Sequence, residues 1–260
     1  MKRTLVIGCS DITCVYTKDD KIEEGEPNWA MRIAERYDGT FKVVSLPGHG
    51  VHLYANLLHR LDEVNKLKQF DNVIVQMTSE LRLRQYPENF DPFPEIFMKI
   101  DTNKSETMHF FKTMEKPIYS SNAIELYDRY EKYFSNTQGR IDFTKVLTDM
   151  HYQDNMLVKI LYSHLEHLFN KNDIKSYYIS TRGVAKGLTP VDLGIMNKYL
   201  FDNEHDWIYK ILAREKCGTE NQFDLIKDGY MSKALHPTKK IINDITELVY
   251  ERLQENGFEG

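Results

Sequence analysis

The sequence predicts an α/β protein of three layers, in which helices cover both faces of a mainly parallel sheet. Three observations support this fold class. Short apolar runs alternate with segments of helical periodicity over residues 4–78, each apolar run ends in a polar turn, and the chain closes on an amphipathic helix. Strands that alternate with helices are typical of parallel sheets, because each crossover helix returns the chain to the same sheet edge.

Each element is predicted from its own pattern. Strands are buried apolar runs that end in Gly, Ser or Pro, and helices repeat apolar residues at intervals of three and four. Asn28 is the expected N-cap of the first helix. The predicted elements are strands at 4–7, 41–46, 71–78 and 174–180 and helices at 27–37, 51–68, 143–170, 206–214 and 239–254.

Residues 83–140 interrupt this alternation. The segment opens with a proline-rich connection at 86–94 and continues with aromatic-rich stretches near 109–111 and 127–134. We interpret it as a helical, aromatic-rich insertion that packs over the sheet edge or against a partner. The chain 1–260 is then a single α/β domain that contains this insertion.

Composition limits the classes of function. Hydrophobic residues make up 41% and charged residues 28%, which is typical of a globular protein. The net charge of −5 does not indicate nucleic-acid binding, which relies on clustered Lys and Arg. The apolar run after Arg3 is too short for a signal peptide, no segment is long enough to cross a membrane, and three cysteines are an odd number. These features favour a cytoplasmic protein with reduced thiols.

Four polar loops stand at strand ends or helix starts. They contain Ser10, Gly48, Thr78 and His236. Together they offer a hydroxyl nucleophile, an unobstructed backbone N–H, a second hydroxyl and a base, which is the set of groups that serine acyl transfer needs. A serine after a strand is by itself more often a turn or a helix cap, so it is the order of the other three loops that favours catalysis.

These loops resemble the blocks of the SGNH or GDSL-type hydrolases, which have a flavodoxin-like three-layer sheet. The first block is Gly8-Cys9-Ser10-Asp11, similar to the variant in which cysteine precedes the serine, and the last is His236-Pro237-Thr238 before the closing helix. The resemblance implies that Ser10 is the nucleophile and His236 the base. It also implies that the N–H groups of Ser10 and Gly48 bind the oxyanion.

Two positions depart from that family pattern. Thr78 stands where the family has an oxyanion asparagine, so the hydroxyl of Thr78 or of Ser79 would have to donate instead. Lys233 stands where the family has the aspartate of its Asp-x-x-His motif. Asp228 is the candidate third member of the triad, with Asp224 also nearby in sequence.

The expected function is that of a serine esterase or deacylase, acting on an acyl ester of a small molecule or carbohydrate. Ser79, Arg82 and His49 are candidates for substrate binding, Arg82 because a cation at this edge suits an anionic group. An acyltransferase with the same nucleophile, or a binding or assembly module with a decayed site, remains an alternative. No cofactor is implied, and the spacing of His49/His52 and of His164/His167 lacks the further ligands of a metal site.

Overall fold

Five parallel strands form the central sheet of the protein, which we describe from a computed structural model for residues 1–12, 14–46, 50–77, 100–109, 156–183 and 188–260. The strands lie side by side in the order β4-β2-β1-β3-β5. Their bounds are β1 Arg3–Gly8, β2 Thr40–Ser45, β3 Asn72–Met77, β4 Glu106–His109 and β5 Lys175–Ser180.

Helices cover this sheet on both faces, as the sequence predicts. They are α1 Trp29–Ala34, α2 Val51–Glu63, α3 residues 156–171, α4 Ile208–Cys217, α5 Asp224–Lys227 and α6 Ile242–Glu255. The crossovers β1-α1-β2 and β2-α2-β3 run in opposite directions across the sheet, so right-handed connections place α1 and α2 on opposite faces. On one face Arg36, which follows α1, pairs with Glu247 of α6, and on the other Asp62 of α2 accepts from Lys171 of α3 at 2.6 Å.

Most predicted elements are confirmed, with shifted ends. Residues 143–155 of the helix predicted over 143–170 lie outside the described residues. Asn28 caps α1, because its Oδ1 accepts the N–H of Met31 at 3.0 Å. The helix predicted over 51–68 ends earlier, at Glu63, since Asn65 adopts a left-handed φ of 59° and breaks it. A separate 3-10 turn then follows at Leu67–Gln69.

Strand β4 falls inside the segment that the sequence assigned to a helical insertion. It adds to the edge of the sheet beside β2, with Lys42 opposite Glu106 in the register. Their side chains form an ion pair at 2.5 Å, so the charge of the buried Lys42 is compensated by that of Glu106. Four residues without an apolar run carry no strand signal of their own, so the pairing with β2 decides their structure. Residues 83–99 and 110–140 of the predicted insertion lie outside the described residues.

The five parallel strands all end at one edge of the sheet, its carboxyl edge. Strand β1 lies at the centre of this edge, with β2 on one side and β3 on the other. In open α/β sheets ligands bind outside the carboxyl ends of the strands. The turn that begins at Ser10 follows β1 directly and therefore stands at this position.

Close packing at Gly8, the last residue of β1, leads to a testable prediction. A methyl group there would lie 2.4 Å from Gln76 Oε1 and 2.7 Å from Gln76 Cβ. The Gln76 amide cannot move aside freely, because it bonds to Cys9 and Thr181. We expect Gly8→Ala to lower the free energy of unfolding by about 1–3 kcal/mol, measured by urea denaturation. A midpoint equal to that of the wild type would contradict this packing.

Candidate functional site

Ser10 opens a short 3-10 turn, Ser10–Ile12, directly after β1. The turn closes through the N–H of Ile12, which donates to Cys9 O at 3.2 Å. The N–H of Cys9 donates to Gln76 Oε1 at 2.9 Å, so the turn is fixed to the end of β3. Ser10 is 7% exposed and Asp11 1% exposed. The candidate nucleophile therefore lies at the carboxyl edge of the sheet, on backbone that Gln76 of β3 holds in place.

The carboxylate of Asp11 joins the carboxyl ends of three strands. It accepts hydrogen bonds from Thr181 Oγ1 at 2.6 Å, from Gln76 Nε2 at 3.1 Å and from Arg182 Nη2 at 2.9 Å. Burial alone would raise the pKa of Asp11, but the charge of Arg182 and the hydroxyl of Thr181 outweigh it, and the pKa is lowered. Asp11 is therefore an ionised carboxylate in the interior, compensated by charge and by hydrogen bonds.

His236 lies between a carboxylate and an aromatic ring. Its Nδ1 is 3.3 Å from Asp20 Oδ1, and its ring stacks on Tyr16 with centroids 4.2 Å apart and planes 20° apart. The backbone also joins the two segments, since the N–H of Tyr16 donates to Pro237 O at 2.9 Å. Stacking on Tyr16 thus fixes the plane of the imidazole, and the contact with Asp20 fixes the direction of its Nδ1.

The loop that contains Asp20 and the segment before His236 each contain one residue with left-handed backbone. Asp20 has φ of 61°, which aspartate tolerates, and Leu235, directly before His236, has φ of 60°, which is rare for a bulky residue. The loop is held by the N–H of Leu235, which donates to Ser232 O at 3.0 Å, and by the N–H of His236, which donates to Ser232 Oγ at 3.0 Å. Strained backbone next to a titratable side chain is often found at functional sites.

The surroundings of His236 keep its imidazole neutral at neutral pH. Burial is the largest influence and lowers the pKa of His236 below its ordinary value. The negative charges of Asp11 and Asp20 act against burial and raise it, and the positive charge of Arg182 lowers it further. A neutral imidazole can accept a proton, which is the property a general base needs.

Asp20 takes the position that the sequence analysis gave to Asp228. The carboxylate of Asp228 lies elsewhere, where its Oδ2 accepts from Cys217 Sγ at 3.5 Å. Asp224 is likewise engaged within its own segment and accepts from Thr219 Oγ1 at 2.8 Å. The carboxylate that contacts His236 thus comes from the loop after β1 rather than from the residues before the histidine.

Lys233, which stands where the family motif has an aspartate, contacts that loop. Its ammonium pairs with Asp19 at 3.4 Å, one residue before the carboxylate that contacts His236. The loop is also closed on itself, because the N–H of Thr17 donates to Lys21 O at 2.7 Å. Position 233 therefore lies beside the loop that supplies Asp20.

Of the predicted site residues, Ser10 and His236 lie at the same carboxyl edge of the sheet. Arg182 Nη2 connects their two segments, because it contacts Asp11 Oδ1 at 2.9 Å and Leu235 O at 2.7 Å. The other predicted oxyanion and substrate-binding residues lie outside the described part of the chain; these are Gly48, His49, Thr78, Ser79 and Arg82.

Sequence reasoning missed several residues of the site. Thr181 and Arg182 follow β5 directly, and the rule that ligands bind at the carboxyl ends of strands points to them as it points to Ser10. Gln76 is visible as the polar residue near the end of an apolar strand. Asp20 has no comparable signal, because it sits in a charged loop far in sequence from His236.

No family model, curated protein or solved structure matches the chain. The likeness to SGNH hydrolases is therefore carried by the motifs alone. Among the described residues, no helix has both the length and the apolar character needed to cross a membrane. In the same part of the chain, no group of three or more His, Cys, Asp or Glu side chains is arranged to hold a metal ion.

Proposed function

We propose that the protein is an SGNH-like serine esterase or deacylase that forms an acyl-enzyme on Ser10. The observation that supports this most is the contact between Asp20 and His236 Nδ1 at 3.3 Å, at the sheet edge where β1 delivers Ser10. A carboxylate on one imidazole nitrogen leaves the other, Nε2, to act as the base. This is the relation that a serine nucleophile requires of its histidine and acid partners.

In the proposed reaction, Ser10 Oγ attacks the ester carbonyl carbon while its proton passes to His236 Nε2. Asp20 accepts from the Nδ1–H and stabilises the imidazolium that forms. The tetrahedral intermediate collapses as the C–O bond to the alcohol breaks, and the imidazolium returns the proton to the departing alcohol. Water then attacks the acyl-enzyme by the same sequence and releases the acid and free Ser10.

The remaining roles follow the family pattern. We assign the oxyanion to the N–H groups of Ser10 and Gly48 and to the hydroxyl of Thr78. Removal of a single donor of this kind commonly costs about 10²–10³-fold in kcat. Ser79, Arg82 and His49 remain candidates for binding the substrate, an acyl ester of a small molecule or carbohydrate. A cytoplasmic location belongs to the same proposal.

Labelling by a fluorophosphonate tests the proposal directly, because the probe reacts only with an activated serine. We expect the wild type to gain one phosphonyl group per chain, as measured by intact mass, and Ser10→Ala to gain none. Ser176→Ala is a matched control, since Ser176 lies on β5 with its hydroxyl on Glu166 at 2.9 Å. It should label like the wild type.

The outcomes separate the alternatives. Labelling that persists in Ser10→Ala would overturn the assignment of the nucleophile. A folded wild type that takes up no label would overturn the esterase and favour the binding or assembly module. Where labelling succeeds, incubation of the acyl-enzyme with water alone or with an added alcohol tells hydrolase from acyltransferase, because only a transferase passes the acyl group preferentially to the alcohol.

A further inference from the structure

One guanidinium group contacts both halves of the site. Arg182, two residues beyond the end of β5, donates from Nη2 to Asp11 Oδ1 at 2.9 Å. The same nitrogen donates to Leu235 O at 2.7 Å and lies 3.3 Å from Ala234 O. Asp11 is the neighbour of Ser10 in sequence, and Leu235 is the neighbour of His236. A single nitrogen therefore connects the segment of the nucleophile to the segment of the base.

We propose that Arg182 is a positioning residue for His236, anchoring the strained peptide before the imidazole to the buried carboxylate beside Ser10. The effect on turnover rests on the proposed function, whereas the effect on the imidazole itself does not. Nothing in the sequence motifs assigns this role to position 182.

The backbone before His236 needs such an anchor. A leucine at φ of 60° is disfavoured by roughly 1–2 kcal/mol relative to ordinary helical backbone, so the loop would relax without opposing contacts. The carbonyl of Leu235 points its oxygen at Arg182 Nη2, and this bond is assisted by the positive charge of the donor. Arg182 thus holds the carbonyl side of the peptide that carries His236, while Ser232 accepts from the N–H groups of Leu235 and His236.

The same guanidinium sets the electrostatic field at the imidazole. The charged and titratable groups that face His236 in the described residues are Asp20, Asp11, Arg182 and the phenol of Tyr16. Arg182 pairs with Asp11 and so offsets a buried negative charge that would otherwise favour the imidazolium. Loss of Arg182 should therefore raise the pKa of His236, because its positive charge lowers that pKa and the charge of Asp11 would then be uncompensated.

A purely structural role for Arg182 predicts something different. If the side chain only neutralised Asp11, any cation at position 182 would serve, and Arg182→Lys would keep the kcat of the wild type. A positioning role requires that kcat fall in Arg182→Lys even though the titration midpoint of His236 stays close to that of the wild type. The comparison of Arg182→Met with Arg182→Lys therefore separates the charge of Arg182 from its contact with Leu235 O.

The experiment compares Arg182→Met and Arg182→Lys with the wild type. The imidazole is followed by NMR titration, with its resonances assigned through His236→Gln, and turnover is followed with a p-nitrophenyl ester. Arg36→Met is the matched control, because it also removes an arginine from an ion pair but on the α1–α6 face. The free energy of unfolding is measured for every variant.

For Arg182→Met we expect the titration midpoint of His236 to rise by about 0.5–1 pH unit. We also expect kcat to fall by about 10²-fold, with KM changed much less, since misplaced groups slow the chemical step. Arg182→Lys keeps a cation near Asp11, but its shorter side chain would not carry that cation to both Asp11 Oδ1 and Leu235 O. It should leave the midpoint close to that of the wild type and still lower kcat by about tenfold.

An unchanged midpoint in Arg182→Met, together with kcat equal to that of Arg36→Met, would overturn the positioning role. If Arg182→Met does not fold, Arg182→Lys decides, because wild-type kcat in that variant would also overturn it. Failure of the proposed function has a different signature. The wild type would then take up no label, or labelling would survive in Ser10→Ala, while the NMR midpoints would still report whether Arg182 acts on His236.

Discussion

Asp20→Asn should reduce kcat/KM for ester hydrolysis by about 10²–10⁴-fold at neutral pH. The amide keeps the shape of the side chain but can present its N–H₂ to His236 Nδ1, 3.3 Å from the present carboxylate oxygen. The imidazole would then carry its proton on Nε2, where the serine proton has to go. It would also lose the negative charge that stabilises the imidazolium.

Steady-state kinetics over pH check this expectation, and Asp19→Asn is the matched control. Asp19 is the preceding residue of the same loop, and its carboxylate is exposed and pairs with Lys233. It should retain activity within about threefold, as exposed ion pairs contribute little. Equal losses in the two variants would mean that the loop matters only for its charge, and Asp20 would lose its role.

The direction in which the pH profile shifts tests the roles of Asp20 and Arg182 independently. Asp20 raises the pKa of His236, so its removal should lower that pKa and move the acid limb of kcat/KM to lower pH. Arg182→Met should move the same limb the opposite way, since Arg182 lowers the pKa of His236. The base must be neutral to act, and hence activity is lost as pH falls through this pKa.

The sheet and the position of the site could be predicted from local patterns. Buried parallel strands are continuous apolar runs, and four of the five strands carry that signal. Polar residues at their carboxyl ends, such as Ser10 and Gln76, then fall on one edge because parallel strands all end on the same side. Local sequence patterns are therefore enough to predict the α/β class and the sheet edge at which the candidate site lies.

Contacts between distant segments could not be predicted in this way. Asp20 and His236 meet only because the loop after β1 folds back on the segment before α6, through the bond from Tyr16 N–H to Pro237 O. The expectation of Asp228 followed proximity in sequence, which tells nothing about which loop folds onto the histidine. Strand β4 was missed for the same reason, because pairing with β2 defines it.

The buried charge of Asp11 gives the largest expected effect on stability. Asp11→Asn removes the charge opposite Arg182 and turns an N–H₂ group toward donors that now bond to carboxylate oxygens, among them Thr181 Oγ1 and Gln76 Nε2. Breaking one side of a buried ion pair typically costs about 3–5 kcal/mol. We expect a loss of this size in the free energy of unfolding at pH 7, measured by urea denaturation.

Asp62→Asn is the comparison that separates burial from charge. Asp62, like Asp11, belongs to an ion pair, but its partner Lys171, at 2.6 Å, is exposed. We therefore expect Asp62→Asn to lower the free energy of unfolding by about 1 kcal/mol or less. Similar losses in the two variants would contradict a special cost of burial at Asp11. Arg182→Met in the Asp11→Asn background should cost less than Arg182→Met alone, because the carboxylate it would leave unpaired is already neutral.

The pH dependence of stability follows from the lowered pKa of Asp11. A carboxyl group with a folded-state pKa below its ordinary value stabilises the protein above that ordinary value, about 4. The contribution is lost as pH falls further, through the folded-state pKa. The difference in unfolding free energy between wild type and Asp11→Asn should therefore be greatest at neutral pH and shrink below pH ~4. A constant difference across that range would show that shape rather than charge makes Asp11 necessary.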